Sequence, residues 1–289
     1  MQPDPDRFTI ETADPQDRDL IQGLLSGASW QHRHLDWTRP LELLGHKPFI
    51  LASDRGLPVG LLAVPPDPPG ISWLRILAVA SGYELSHVWR MMWRDVEGQL
   101  MDLGIEEAAA LSIPPWLPDL LKQVGFTQED SVEFLEWSED ELPPQPDSPL
   151  PLEPLLSTNL MAVAQVDHRA FAPRWRHSLE ALQSALKHAS YATVLRLSGK
   201  VIAYQISTLS QHGGHLARLA VDPDFQGQGH ASHLVWDLLH HFKRHGHDRV
   251  TVNTQGSNER SHKLYENLGF RSLEQAFPVY VKALNKKHP

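Results

Sequence analysis

No cysteine occurs among the 289 residues. That excludes a disulfide framework, a cysteine nucleophile and a metal held by thiolates. No apolar run approaches the about 18 residues that a membrane-crossing helix needs, so no membrane segment is expected. The opening residues, MQPDPDRFTI, lack the charged stretch and apolar run of a secretory signal. Basic runs are missing too: Lys and Arg number 26 against 35 Asp and Glu, a net charge of −9. Phosphate backbones call for clustered cations, so nucleic acid is not an expected partner. The acidic balance favours solubility and names no partner. A cytoplasmic protein, monomer or homodimer, is the expectation these absences leave.

What is present is ordinary globular composition, 41% hydrophobic and 21% charged. The length accommodates two domains of about 140 residues each. Ser138 to Pro154 reads SEDELPPQPDSPLPLEP, acidic and proline-rich. Such a stretch is expected to be an extended linker at 139–154, dividing a domain at 1–138 from one at 155–289.

The two halves echo each other. SWLRILAV around Leu77-Ala78-Val79 matches GHLARLAV around Leu219-Ala220-Val221. Gly104 follows Val79 by 25 positions, and Gly246 follows Val221 by the same 25. Each glycine separates a helix-period stretch from a strand-like run, and each half closes on a Gly-Phe pair, Gly125-Phe126 and Gly269-Phe270. Shared order and spacing indicate an internal repeat. In the second half, periodicity predicts helices over Asn159 to Phe171, from Ser178 as a cap, over His230 to His245 and over Asn258 to Leu268. Strands are expected at Tyr191 to Ser198, Val201 to Ser210, His215 to Val221, Arg249 to Thr254 and after Phe270. The fold class is α/β with a mixed sheet.

The segment Val221-Asp-Pro-Asp-Phe-Gln226-Gly227-Gln228-Gly229-His230-Ala231 lies between a strand and a helix. Small residues let a ligand approach the backbone, and the first helical turn offers unpaired N–H groups at a positive dipole end. That combination cradles a pyrophosphate. A P-loop is excluded because no lysine follows Gly229. A dinucleotide fingerprint fits poorly, with Ser232 as its third small residue and Asn253 where an acid is wanted.

Gln226-x-x-Gly229-x-Ala231, after a Leu-Ala-Val-Asp-Pro strand, resembles the pyrophosphate loop of the GNAT superfamily of N-acetyltransferases. Asn258-x-x-Ser261-x-x-Leu264-Tyr265-x-x-x-Gly269-Phe270 resembles the second signature of that family, and together the motifs cover roughly residues 190–284. The resemblance implies two tandem GNAT-like domains, each a mixed, mostly antiparallel sheet flanked by helices. It implies acetyl-CoA as acyl donor, its pantetheine arm pairing with backbone at Leu219, Ala220 and Val221 where the strand splays from its neighbour. Pyrophosphate would take N–H groups from Gly227 to Ala231, and an N–H near Leu219 to Val221 would stabilise the oxyanion. Asn258 would bond near the thioester and Ser261 would line the cofactor. Tyr265 would return a proton to the departing thiolate, whose pKa is about 8.5.

An amine acceptor with a lysine-like pKa of about 10 must lose a proton before attack. Alternation places His215, Ala217, Leu219 and Val221 on one face. His215 stands six residues before Val221, where several family members carry a Glu or His base, and histidine suits that task. Some peptide-terminus acetyltransferases carry a glutamate five residues before the asparagine; here Asn253 stands there, which weighs against such an acceptor. Phe171 and Trp175 are candidate walls of the amine pocket, or else core residues between two helices. The reading is acetyl transfer to a primary amine; the alternative is a non-catalytic acyl-CoA-binding or sensing module.

Six histidines fall between His230 and His247, but their spacing is not that of a ligand set, and no metal is expected. Trp89 and Trp93, four apart, read as helix packing. By repeat position the first half has Glu84, His87 and Trp89 against Gln226, Gly229 and Ala231, Leu121 against Tyr265, and Trp73 against His215. Bulk and a carboxylate there would repel a pyrophosphate, so the first domain is expected to have lost its cofactor loop.

Overall fold

The computed structural model describes residues 8–147 and 150–284. It forms two compact units: unit 1 takes the chain up to Glu129 and again from Phe277 onward, and unit 2 is Asp130–Ala276. In unit 1 the order is β1 (Phe8–Thr12), α1 (Arg18–Gly27), β2 (Ala28–Arg33), β3 (Phe49–Asp54), β4 (Leu57–Ala63), β5 (Ile71–Trp73), β6 (Ile76–Ala80), α2 (Leu85–Asp102), β7 (Glu107–Leu111) and α3 (Leu117–Gln123). β8 (Thr127–Trp137) leads into unit 2, followed by β9 (Leu152–Pro154), α4 (Leu160–Ala170), α5 (Leu179–His188), β10 (Tyr191–Leu197), β11 (Lys200–Ser210), β12 (Gly213–Val221), α6 (His230–Arg244), β13 (Val250–Gln255), α7 (Glu259–Asn267) and β14 (Arg271–Ala283).

These boundaries differ from a cut at a linker. Residues 130–137 of β8 pair with β13 in unit 2, with Trp137 opposite Val250 and Val132 opposite Gln255. The far end of β14 pairs with β7 in unit 1, Val279 opposite Leu111 through Ala283 opposite Glu107. Each unit is therefore completed by a strand from the other half of the sequence. The stretch expected to be an extended linker also packs within unit 2. Leu152–Pro154 pairs with β10, and Trp236 Nε1 donates to Pro143 O at 2.9 Å. Prolines forbid a central strand but tolerate an edge, which is where β9 lies. Ser148 and Pro149 of that stretch lie outside the described residues.

Alternating apolar positions decide which helix covers which face. In unit 2, Leu216, Val250, Val252, Leu135 and Trp137 meet Val235, Leu238, Leu239 and Phe242 of α6 and Tyr265 and Leu268 in one core. α4 and α5 pack on β11 from the opposite side, and Ser178 caps α5 by accepting from Ala181 N at 3.1 Å. Unit 1 repeats the plan. Trp89 and Trp93 of α2 are buried, their ring centroids 5.4 Å apart, against Leu62, Leu77 and Val79. α1 covers the other face through Ile21, Leu24 and Leu25. Among the described residues no helix is long and apolar enough to cross a membrane.

Candidate active site

The site forms where β12 and β13 part. They pair in parallel only at Gly214, His215 and Leu216, opposite Val250, Thr251 and Val252. Beyond Leu216, β12 keeps β11 on one side, Leu219 opposite Gln205 and Val221 opposite Ala203. Asp222 N donates to Ile202 O at 2.8 Å, so alternation back along the strand turns the backbone groups of Val221 and Leu219 away from β11. Those are the groups the sequence reading assigned to a ligand pairing as an added strand.

At the end of this open edge Gln226 donates through Nε2 to Val221 O at 2.9 Å, and its Oε1 accepts from Arg260. Gly227 and Gly229 follow at φ 76° and 79°, and a Cβ on either would meet nothing within 4 Å. Positive φ selects glycine here, and the bare backbone faces free space. Gly229 is the N-cap of α6 and supplies no side-chain acceptor to the first turn. The N–H groups of that turn stay available at the positive end of a 15-residue helix. Gly227, Gln228 and Gly229 are exposed and Ala231 is half-buried. His230 is buried, and its Nδ1 has no hydrogen-bond partner among the described residues. The geometry fits a pyrophosphate running into a slot beside β12.

α7 carries the second signature beside the same core. Asn258 caps it, Oδ1 accepting from Ser261 N at 3.1 Å, while Nδ2 donates to Gln255 Oε1 at 3.3 Å. Its amide is thus engaged within its own turn. Ser261 is half-buried one turn before Tyr265. Tyr265 is 5% exposed, packs with Leu216 and Val252, and has Leu219 against the same cluster. Burial raises its phenol above the ordinary value, so it holds its proton at neutral pH.

His215 departs from the expected arrangement. A bulge between Arg218 and Leu216, opposite Ile206 and Ser207, inserts Ala217 as an unpaired residue. An extra residue reverses the alternation, so His215 shares a face with Arg218 and Ala220 and not with Leu219 and Val221. His215 Nδ1 lies 2.9 Å from Thr251 Oγ1, which in turn reaches Gly214 O at 3.4 Å. If the threonine hydroxyl donates to that carbonyl, Nδ1 carries the imidazole hydrogen and Nε2 is the basic nitrogen. Burial lowers the pKa of His215, and a hydrogen bond with Asn253 partly opposes this.

On that face sits a cluster sequence reasoning missed. Asp167 of α4, fully buried, accepts from Tyr204 Oη at 2.5 Å and from Arg218 Nε at 2.8 Å. Its Oδ1 takes His177 N at 2.8 Å, and Arg218 Nη2 donates to Trp175 O at 2.7 Å. The Arg218 guanidinium lies 3.5 Å from the Phe171 ring centroid. Phe171 and Trp175 are therefore tied into an ion-paired network on one side, and removing one partner of such a buried pair costs about 3–5 kcal/mol. The legible signal was an acid on the apolar face of α4 and an arginine in the middle of an apolar strand.

Residues 160–270 match the profile of the Acetyltransferase (GNAT) family. This segment belongs to the GNAT acetyltransferase family. The GNAT segment is 29% identical over 116 residues to the [Ribosomal protein bS18]-alanine N-acetyltransferase of Escherichia coli K12, covering 40% of this chain and 77% of that protein. It is 34% identical over 92 residues to the spore coat polysaccharide biosynthesis protein SpsD of Bacillus subtilis, 32% of each chain. The whole fold is similar to a tandem GNAT protein from the clavulanic acid biosynthesis pathway, with a TM-score of 0.67, 13% identity and 97% and 100% of the two chains covered. It is also similar to a probable N-acyltransferase from Enterococcus faecalis V583, with a TM-score of 0.71, 12% identity and 96% and 73% coverage. Tandem GNAT architecture, α/β with mostly antiparallel sheets, is thus the fold of this chain.

Proposed function

We propose that unit 2 transfers an acetyl group from acetyl-CoA to a primary amine by direct attack. The observation that carries this reading is the unpartnered edge of β12, with the glycine cradle at one end and Tyr265 beside it. Pantetheine would bond to Leu219 and Val221, pyrophosphate to the N–H groups from Gly227 to Ala231, with Gln226, Gln228 and His230 shaping the loop. The amine would approach from the α4–α5 side, where His215 lies. A neutral His215 accepts the amine proton, directly or through water, and the amine nitrogen attacks the thioester carbon. An N–H of the open edge stabilises the oxyanion, and Tyr265 protonates the leaving sulfur as the C–S bond breaks.

The acceptor follows from chemistry that the two sets of observations pull in different directions. Asn253 stands where some peptide-terminus enzymes carry an acid, whereas a relative is named for acetylating an alanine of a ribosomal protein. The experiment is a calorimetric titration of the full chain with acetyl-CoA, then coenzyme A release with a panel of small amines, polyamines and an alanyl peptide. One site per chain and amine-dependent release support the proposal. Binding without amine-dependent release would favour an acyl-CoA sensor, and no binding would overturn the site.

A further inference from the structure

Unit 1 carries the same splayed arrangement, but its gap is filled. β5 pairs in parallel with β7, Ile71 opposite Glu107 and Trp73 opposite Ala109. The chain then crosses through Leu74 and Arg75 into β6, which pairs with β4. In unit 2 β12 likewise pairs in parallel at its start, with β13, while it keeps β11 along its other edge. In unit 1, however, β6 has a second neighbour. β2 runs antiparallel along its free edge, Trp30 opposite Val79, Gln31 opposite Ala78, His32 opposite Leu77 and Arg33 opposite Ile76.

The register makes the correspondence specific. His34 N donates to Arg75 O at 2.9 Å, so alternation turns the backbone groups of Leu77 and Val79 toward His32 and Trp30. Leu77 and Val79 are the repeat counterparts of Leu219 and Val221, the two residues whose groups face the open slot in unit 2. Of the side chains of β2, that of His32 is buried. His32 is 1% exposed with Nε2 3.2 Å from Leu74 O, and Trp30 meets Trp116 edge-on at 5.7 Å.

The other half of the cradle is filled as well. Glu84, in the position of Gln226, caps α2 by accepting from Ser86 N at 3.1 Å and His87 N at 2.6 Å. Those N–H groups belong to the first turn, the place a phosphate would occupy. These bonds, led by that from the Ser86 hydroxyl, hold the Glu84 carboxyl below its usual pKa, so it stays anionic.

We propose that unit 1 is a self-liganded acyl-CoA fold, in which β2 stands in the pantetheine slot and the Glu84 carboxylate in the pyrophosphate cradle. The statement rests on the cofactor reading of unit 2. It accounts for a second GNAT-like unit beside one cofactor site: the fold's cleft is kept closed by residues of its own chain. Unit 1 then binds no acyl-CoA at any concentration that leaves it folded.

Hydrogen–deuterium exchange of the full chain, with and without saturating acetyl-CoA, tests this. Amides of Leu77 and Val79 are expected to be protected about 100-fold or more without ligand and to change less than about twofold on its addition. Amides of Leu219 and Val221 are expected to slow about tenfold or more on addition. Slowing at Leu77 and Val79 with acetyl-CoA, or fast exchange there without it, would overturn the proposal alone. No response at Leu219 and Val221 would overturn the cofactor reading and the inference with it. Calorimetry gives an independent check. One site per chain in the wild type agrees with a closed unit 1, and two sites in the wild type, with one left at undiminished affinity in Gly229→Glu, refute it.

Discussion

Units 1 and 2 are two solutions of one fold that differ at one strand edge and at the helix start that follows it. In unit 2 the edge of β12 past Leu216 has no strand beside it among the described residues, and α6 begins at a bare glycine. In unit 1 the matching edge holds β2, and α2 begins under a glutamate. Unpaired backbone groups are costly to bury, so a splayed sheet must offer its edge to something. On the proposed reading a ligand satisfies it in one case and the chain itself in the other. In unit 1 the backbone groups along that edge are satisfied internally, by β2.

The comparison breaks most completely at the level of the units themselves. A fragment 155–289 follows the linker but discards β8 and β9, exposing the flank of β13 and leaving the end of β14 without β7. It is expected to be insoluble or unfolded by circular dichroism, whereas 130–276 folds and binds acetyl-CoA. A folded, binding 155–289 would show that the strand exchange is dispensable. Next in size is Gly229→Glu, which puts a carboxylate into the cradle of unit 2. Charge at the cradle and a side chain at φ 79° should weaken acetyl-CoA at least about 100-fold by calorimetry. Gly229→Ala, which brings the backbone strain without the charge, separates the two contributions.

Tyr265 and Leu121 form the third contrast. Tyr265→Phe keeps the ring that packs against Leu216 and Val252 and removes only the proton donor. Turnover should fall about 100-fold while acetyl-CoA affinity stays within about twofold. Unchanged turnover would assign the phenol a packing role. His215 has Trp73 as its counterpart. Its pKa lies below 6.5 because burial penalises the imidazolium, so the basic form predominates at neutral pH. The rate should therefore fall with pH only on the acid side of 6.5, and His215→Gln should lower it about tenfold or more and abolish that limb. A variant that keeps both rate and limb would remove His215 from proton transfer.

Much of this was legible because the cradle is local. Glycines, cap and helix start stand within Gln226 to Ala231, and the second signature spans one helix with its cap and the Gly269-Phe270 pair after it. What escaped depends on pairing between distant segments. The bulge at Ala217 leaves no mark in an alternating run, yet it moves His215 to the other face. The buried Asp167–Arg218 pair joins residues 51 positions apart. The strand exchange hides because β8 and β14 each look like the natural end of their own half. β2 looks like an ordinary half-polar strand after α1; only its partner shows what it does.

That partner can be tested through acid. Burial pushes His32 down to about 4, from the 6.5 it has when unfolded. A group whose folded pKa is depressed in this way binds fewer protons folded than unfolded, so its neutral burial is fully tolerated above pH 6.5. Stability is then lost as pH falls from 6.5 toward 4, up to about 3 kcal/mol for this one imidazole. His34 beside it shifts in the same direction, through burial first and then the charge of Arg75. Urea unfolding at pH 7 and pH 5 should show the wild type losing about 2 kcal/mol more than His32→Asn between the two. The loss should appear first as faster exchange at Leu77 and Val79, because His32 is the residue that pairs β2 with Leu77. Equal losses in both proteins would place the acid sensitivity elsewhere and leave β2 seated by its backbone bonds alone.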